Sequence, residues 1–259
     1  MKYDYWNEYY VEASRGDLPS VFVIPHPFVD IGAMSLPNYF DHCIEWEDIP
    51  EQHPFRVQFT KDQWDFDIYA KQQGTPVAWK EVADRCGFRS IAETYHAVLS
   101  QAITLKNELR LPELAKKLYS IVQRDGLLMP EPDAFPAILE KPLGELFEAL
   151  GKDQIIIESQ TQQETREART ADLKAPDRTV WQVGGPTPNY LYPKDMSVVV
   201  VSLWESHHSM ICLNEANAGR VNPSRWFEGF WATKHTGPDW WQEQPWQDIV
   251  RDNRNQALL

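Results

Sequence analysis

Residues 198–213 read VVVVSLWESHHSMICL. Two β-rich runs, Val198–Trp204 and Met210–Leu213, flank a polar tetrad, Ser206-His207-His208-Ser209. β-branched side chains favour extended backbone, so the pattern predicts a β-hairpin whose turn is the tetrad. Working outward, Ile155–Ile157 and Thr179–Val183 are further β-rich runs, and Val21–Ile24 is a short strand ended by Pro25-His26-Pro27. Between the C-terminal runs lies SQTQQETREARTADLKAPDR, residues 159–178. Polar throughout, it reads as a loop or as an amphipathic helix too polar to pack deeply.

The middle of the chain carries helical spacing. Trp79, Val82, Ala83 and Cys86 line one face, and Gly87 is a natural C-terminal stop. Ser90-x-x-Glu93 is a capping box, opening a helix expected to carry Ile91, Tyr95, Val98, Ala102, Leu105 and Leu109. Pro112 fits the first turn of the next helix, which runs to Gly126, and Pro142–Leu150 gives one more. Thr60-x-x-Gln63 opens an earlier helix through Trp64 and Ile68 to Gly74. Residues 3–13 place Tyr3, Trp6, Tyr10 and Ala13 on one helical face, and residues 28–59 read as irregular. The expected fold class is therefore α+β, a helical middle packed with a mostly antiparallel C-terminal sheet. The chain reads as one domain over 1–259, with a candidate subdivision at 129–136 into a mainly helical 1–130 and a β-rich 137–259.

Charge narrows the function classes. With 42% hydrophobic and 24% charged residues the composition is globular, which argues against extensive disorder. The formal net charge is −13, and residues 1–70 alone carry −9, while 71–130 carry +3. Such a surface repels phosphate backbones and anionic lipids, which sets nucleic acid and membranes aside and suits a basic protein partner or plain solubility. The longest aliphatic run, Val198–Val201, is far short of a membrane span. The opening MKYDYWNEYYVEASRGD lacks the apolar core of a secretory signal. Cys43, Cys86 and Cys212 are odd in number, far apart and without a C-x-x-C pair. That spacing suits a reduced, cytoplasmic protein rather than a disulfide framework or a zinc site, and no metal or cofactor is expected.

Several constellations invite chemistry, and each has a structural counter-reading. Glu205, His207 and His208 offer acid–base groups, but neighbours in a strand point to opposite faces, so the two histidines do not share one metal. A polar hairpin turn is the plainer reading. His26, fixed between two prolines at a strand end, sits where rigid scaffolds present functional side chains; a packed, hydrogen-bonded histidine is the plainer reading. Cys86 ends a helix, the wrong end to stabilise a thiolate, and Cys43 lies among Asp41, Glu45 and Glu47. Gly184-Gly185-Pro186-Thr187-Pro188 lacks the helix and the Lys-Ser/Thr of a phosphate loop and reads as a stiff turn. The helices around Gly87 suggest a helix-turn-helix, but the second has few basic residues where base readout needs them. Trp226, Trp231, Trp240, Trp241 and Trp246, with Phe227 and Phe230, could cover the core, meet a partner or form a small-molecule platform.

Two stretches, SVFVIPHPF (20–28) and VAWKEVADRCG (77–87), resemble an uncharacterised family of bacterial proteins of unknown function. The segment YLYPKDMSVVVVSLWE (190–205) with its returning strand resembles hairpins of bacterial immunity proteins. That second resemblance implies a non-enzymatic role, because such proteins neutralise toxins by binding them, and many are acidic because many toxins are basic. The expectation is an acidic binding module, an immunity or inhibitor protein for a basic partner. Its acidic face would be Asp41, Glu45, Glu47, Asp48 and Glu51, with Asp62, Asp65 and Asp67 nearby, and Trp240 and Trp241 would add affinity. The alternative is an enzyme of unrecognised type using His26, Glu205, His207 or His208 around a pocket.

Overall fold

A computed structural model describes residues 18–31, 63–100, 111–130, 132, 135–158, 165–180, 190–202 and 206–232. The helix expected over residues 3–13, the capping residue Thr60, Cys43 and the tryptophans beyond Trp231 lie outside them. The fold is α+β, with seven α-helices, a seven-stranded antiparallel sheet and a three-stranded sheet among the described residues. The chain forms two compact units, one within Pro27–Pro130 and one within Met1–His26 and Glu131–Leu259. Among the described residues no helix is long and apolar enough to cross a membrane.

Strand β1 (Ser20–Pro25) opens the described chain and belongs to the larger sheet. The Pro27–Pro130 unit then holds β2 (Phe28–Asp30), α1 (Gln63–Gln73), β3 (Thr75–Val77), α2 (Trp79–Cys86), α3 (Ile91–Leu99), α4 (Pro112–Asp125) and β4 (Leu127–Leu128). Strand β2 is the middle of the small sheet, antiparallel to β3 with Phe28 opposite Val77 and to β4 with Val29 opposite Leu128. Phe28–Asp30 read as irregular in the sequence because three residues are too few to show a period; distant pairing makes them a strand.

The helices follow their spacing more closely. Trp79, Val82, Ala83 and Cys86 are buried on one face of α2, and Gly87, at φ 58°, takes the left-handed cap that ends it. Trp79 lies between Phe28 and Tyr95, with ring centroids at 5.2 and 5.7 Å. Arg85 of α2 reaches Asp125 of α4 at 3.2 Å and also pairs with Glu81. Pro112 starts α4 and Gly126, at φ 67°, closes it.

At the start of α3 the Ser90 hydroxyl accepts the Glu93 N–H at 3.4 Å. The Glu93 carboxylate accepts from the Arg89 N–H at 2.8 Å, so the capping box closes one residue earlier than its usual form. The long hydroxyl contact puts Ser90→Ala at the low end for a cap, a loss of about 0.5–1 kcal/mol. Denaturant melts of the two proteins measure it; an unchanged midpoint would mean that Arg89 and Glu93 hold this end alone. The helix stops sooner than its apolar spacing suggests. Leu99 is its last residue, and the Ser100 hydroxyl donates to His96 O at 2.6 Å and accepts the Leu111 N–H at 2.7 Å. Ala102, Leu105 and Leu109 lie outside the described residues.

The other unit follows with α5 (Glu140–Ala149), β5 (Gln154–Glu158), β6 (Thr165–Arg169), α6 (Thr170–Leu173), β7 (Tyr190–Tyr192), β8 (Val198–Ser202), β9 (His208–Leu213), α7 (Glu215–Ala218) and β10 (Phe230–Trp231). With β1 its strands run in the order β10-β1-β9-β8-β7-β5-β6, every neighbour antiparallel. Val198–Val201 are all buried although successive side chains face opposite sides, so β8 is covered on both faces. Each such burial is worth roughly 1.5–3 kcal/mol.

Three expectations change in this unit. Thr165–Arg169, inside the polar stretch read as loop or helix, is the edge strand β6. Its one described neighbour is β5, and its side chains alternate exposed and half-buried, so a polar sequence suffices there. Lys194 pairs with Glu167 across its surface at 2.8 Å. Thr179 and Val180 are not in a strand, and Trp181–Val183 lie outside the described residues. The tetrad is not wholly a turn either, because β9 begins at His208, opposite Pro25, and Ser209 pairs with Ser202.

Candidate functional site

The register of three strands gathers the polar side chains that matter. Strand β1 ends at Pro25, which faces His208 at the start of β9. The next residue, His26, donates its backbone N–H to His207 O at 2.8 Å. Its ring Nε2 lies 2.8 Å from Ser209 Oγ, and that hydroxyl lies 2.7 Å from Ser202 Oγ on β8. Beside this chain, Ser206 Oγ is 2.8 Å from Nδ1 of His208. The five side chains are nearly sealed, with exposures of 0% for His26 and Ser209, 1% for Ser206, 2% for Ser202 and 5% for His208.

Electrostatics follow from that burial. Loss of water, helped by the neighbouring His207, pushes the His208 imidazole down to about 4. His208 is therefore neutral at physiological pH, one ring nitrogen donating and the other accepting, and a serine hydroxyl answers either role. A serine in contact with a histidine nitrogen is also the first half of an activated nucleophile. Here Ser209 is wholly buried and shares its hydroxyl with Ser202. The work on show is the satisfaction of buried polar groups and the fastening of β1 to the hairpin.

The structure thus brings His26, His207 and His208 to one corner, joined through serines and backbone rather than ring to ring. Glu205 lies outside the described residues. So do Asp41, Glu45, Glu47, Asp48, Glu51 and Asp62 of the expected acidic face, together with Trp240 and Trp241. Asp65 falls in α1, and Asp67, in the same helix, is buried at 6% exposure instead of displayed to solvent. Of the aromatic cluster, Trp231 packs edge-on against Phe22 with centroids at 5.3 Å, and Phe227 and Phe230 are buried. Phe227 and Phe230 belong to the core, and Trp231 is half-buried against it. Cys86 and Cys212 are buried free thiols, and burial raises the Cys86 thiol pKa above its ordinary value. Among the described residues no group of three or more His, Cys, Asp or Glu is placed to hold a metal ion.

The sequence reading passed over Ser202, Ser209 and Glu140. The first two lie opposite each other in the β8–β9 register, a pairing that the sequence pattern does not single out. Glu140 is 98% buried at the start of α5, where its carboxylate accepts the Val180 N–H at 2.6 Å. Nothing near it in the sequence announces that contact.

Fold and site together define a two-unit α+β protein whose larger sheet is closed at one corner by a buried histidine–serine network. The chain belongs to the family described as protein of unknown function DUF2711, which it matches over residues 11–242. Both stretches that resemble an uncharacterised family, 20–28 and 77–87, fall inside that span. No curated protein and no solved structure matches the chain.

Proposed function

We propose that the protein is an acidic, non-enzymatic binding module that captures a basic protein partner and acts by occlusion, as an immunity or inhibitor protein of the bacterial cytoplasm does. One observation carries this reading. The described residues hold 16 Lys and Arg against 19 Asp and Glu, a net of −3, while the whole chain carries −13. Most described cations are already matched, as in Lys80–Asp84, Arg89–Glu93, Lys152–Asp195 and Lys174–Glu148. The excess of ten negative charges therefore belongs to the remaining segments. Asp41, Glu45, Glu47, Asp48 and Glu51 fall in eleven residues with no Lys or Arg among them. Like charges gathered without counterions destabilise a chain by itself and favour encounter with a basic surface. Trp240 and Trp241 are the proposed aromatic anchors.

The enzyme alternative, built on His26, Glu205, His207 and His208, draws less support, because His26 and His208 contact serines inside the core. The binding reading predicts an association rate that falls steeply as salt rises, since screening removes steering beyond about 10 Å at ~0.1 M ionic strength. Stopped-flow association with the captured partner, at low and at high salt, measures it. A rate that does not change with salt would remove the electrostatic basis of the proposal.

A further inference from the structure

The corner that fastens β1 contains two buried imidazoles, His26 and His208, each in contact with a serine hydroxyl. Two of the contacts that hold His26 are its N–H to His207 O and its ring to Ser209. His208 faces Pro25 and holds Ser206. Among the described residues, the titratable groups meeting there are His26 just after β1, His207 just before β9 and His208 at its start; β8 contributes Ser202 and the turn contributes Ser206. A positive charge on His208 would therefore arise in a corner where it and His26 are buried.

We propose that this corner is an acid-sensitive latch, which holds the end of β1 against the β8–β9 hairpin when His208 is neutral and frays when it is protonated. The sign follows from linkage. In the closed state His208 resists protonation down to about pH 4, whereas in a frayed state it regains water and an ordinary histidine affinity near 6.5. The frayed state therefore binds more protons between those two values. Opening is favoured about tenfold for each pH unit lost within that window, and the gain is complete below it. The corner lies at the end of the strands, so it can open while the middle of the ladder, Phe22 opposite Ile211 and Val200 opposite Ile211, stays paired.

Amide hydrogen exchange of the intact chain, followed from pH 7 to pH 4.5 and corrected for intrinsic exchange chemistry, tests the latch. The expected result is protection of the His26 amide that falls about tenfold per pH unit below roughly 6.5, while the amides of Val199–Val201 and Ile211–Leu213 keep theirs. In His208→Asn the decline should flatten. Protection of His26 that is independent of pH would overturn the proposal, and so would loss of the whole sheet at one pH. If His208→Asn does not fold, the wild-type profile alone decides between these results.

Discussion

Replacing His26 by Ala should cost the larger unit about 3–4 kcal/mol, one of the two largest losses expected from a single substitution in this chain. The ring is fully buried, so its removal leaves a cavity. It also takes from Ser209 the nitrogen 2.8 Å away, and Ser209 is the link to Ser202. The Ser209 hydroxyl keeps Ser202 at 2.7 Å, so the loss is one buried contact on top of the cavity. Ser209→Ala alone should cost less, about 1–2 kcal/mol, because it removes one hydroxyl and leaves a smaller void. The double variant should cost well under the sum, with a coupling of about 1 kcal/mol or more. Denaturant unfolding of the four proteins measures the cycle. Strict additivity would show that the 2.8 Å contact does not contribute to stability and that His26 acts by bulk alone.

Gly229→Ala should be similarly damaging, by about 3 kcal/mol, for a steric reason. A methyl group there would overlap Val23 O and lie 2.6 Å from Cε1 of Phe22. Val23 pairs with Phe230, so the backbone that would have to move is the β1–β10 ladder itself. Phe22 is fully buried and packs on Trp231, so its ring has nowhere to retreat. The built-in control is Gly219→Ala, where a Cβ would meet Glu215 O at 3.5 Å and Ala216 O at 3.7 Å, ordinary contacts. That variant should match wild type within about 0.5 kcal/mol. Thermal melts of both variants decide the point, and equal midpoints would contradict the close approach of β10 to β1.

The features legible in the sequence are those set by neighbours in the chain. Gly87 and Gly126 end their helices, Pro112 begins one, Ser90 caps another, and the two runs around the His207-His208 turn form adjacent strands. What was hidden depends on distant partners. TREAR has no apolar alternation of its own, and only pairing with Gln154–Glu158 makes it a strand. Phe28–Asp30 needs Val77 and Leu128 beside it. Helix α3 ends at Leu99, and the Ser100 hydroxyl next to it takes the Leu111 N–H, a contact no periodicity encodes. The same holds for the histidine corner. His26 drew attention through its flanking prolines, but its partner Ser209 lies 183 residues away and is brought there by the β1–β9 register.

The functional claim rests on charge that the described ion pairs do not neutralise, and its most direct test removes that charge. The full chain and a variant with Asp41→Asn, Glu45→Gln, Glu47→Gln, Asp48→Asn and Glu51→Gln would each be immobilised and exposed to native-cell extract at low salt. Retained proteins would be identified by mass, and their association rates measured. The account predicts one stoichiometric basic partner on the wild-type chain, released by raised salt, and an association rate at least tenfold lower on the neutralised variant. A partner that binds both chains at the same rate, or no basic partner on the wild-type chain, would contradict it.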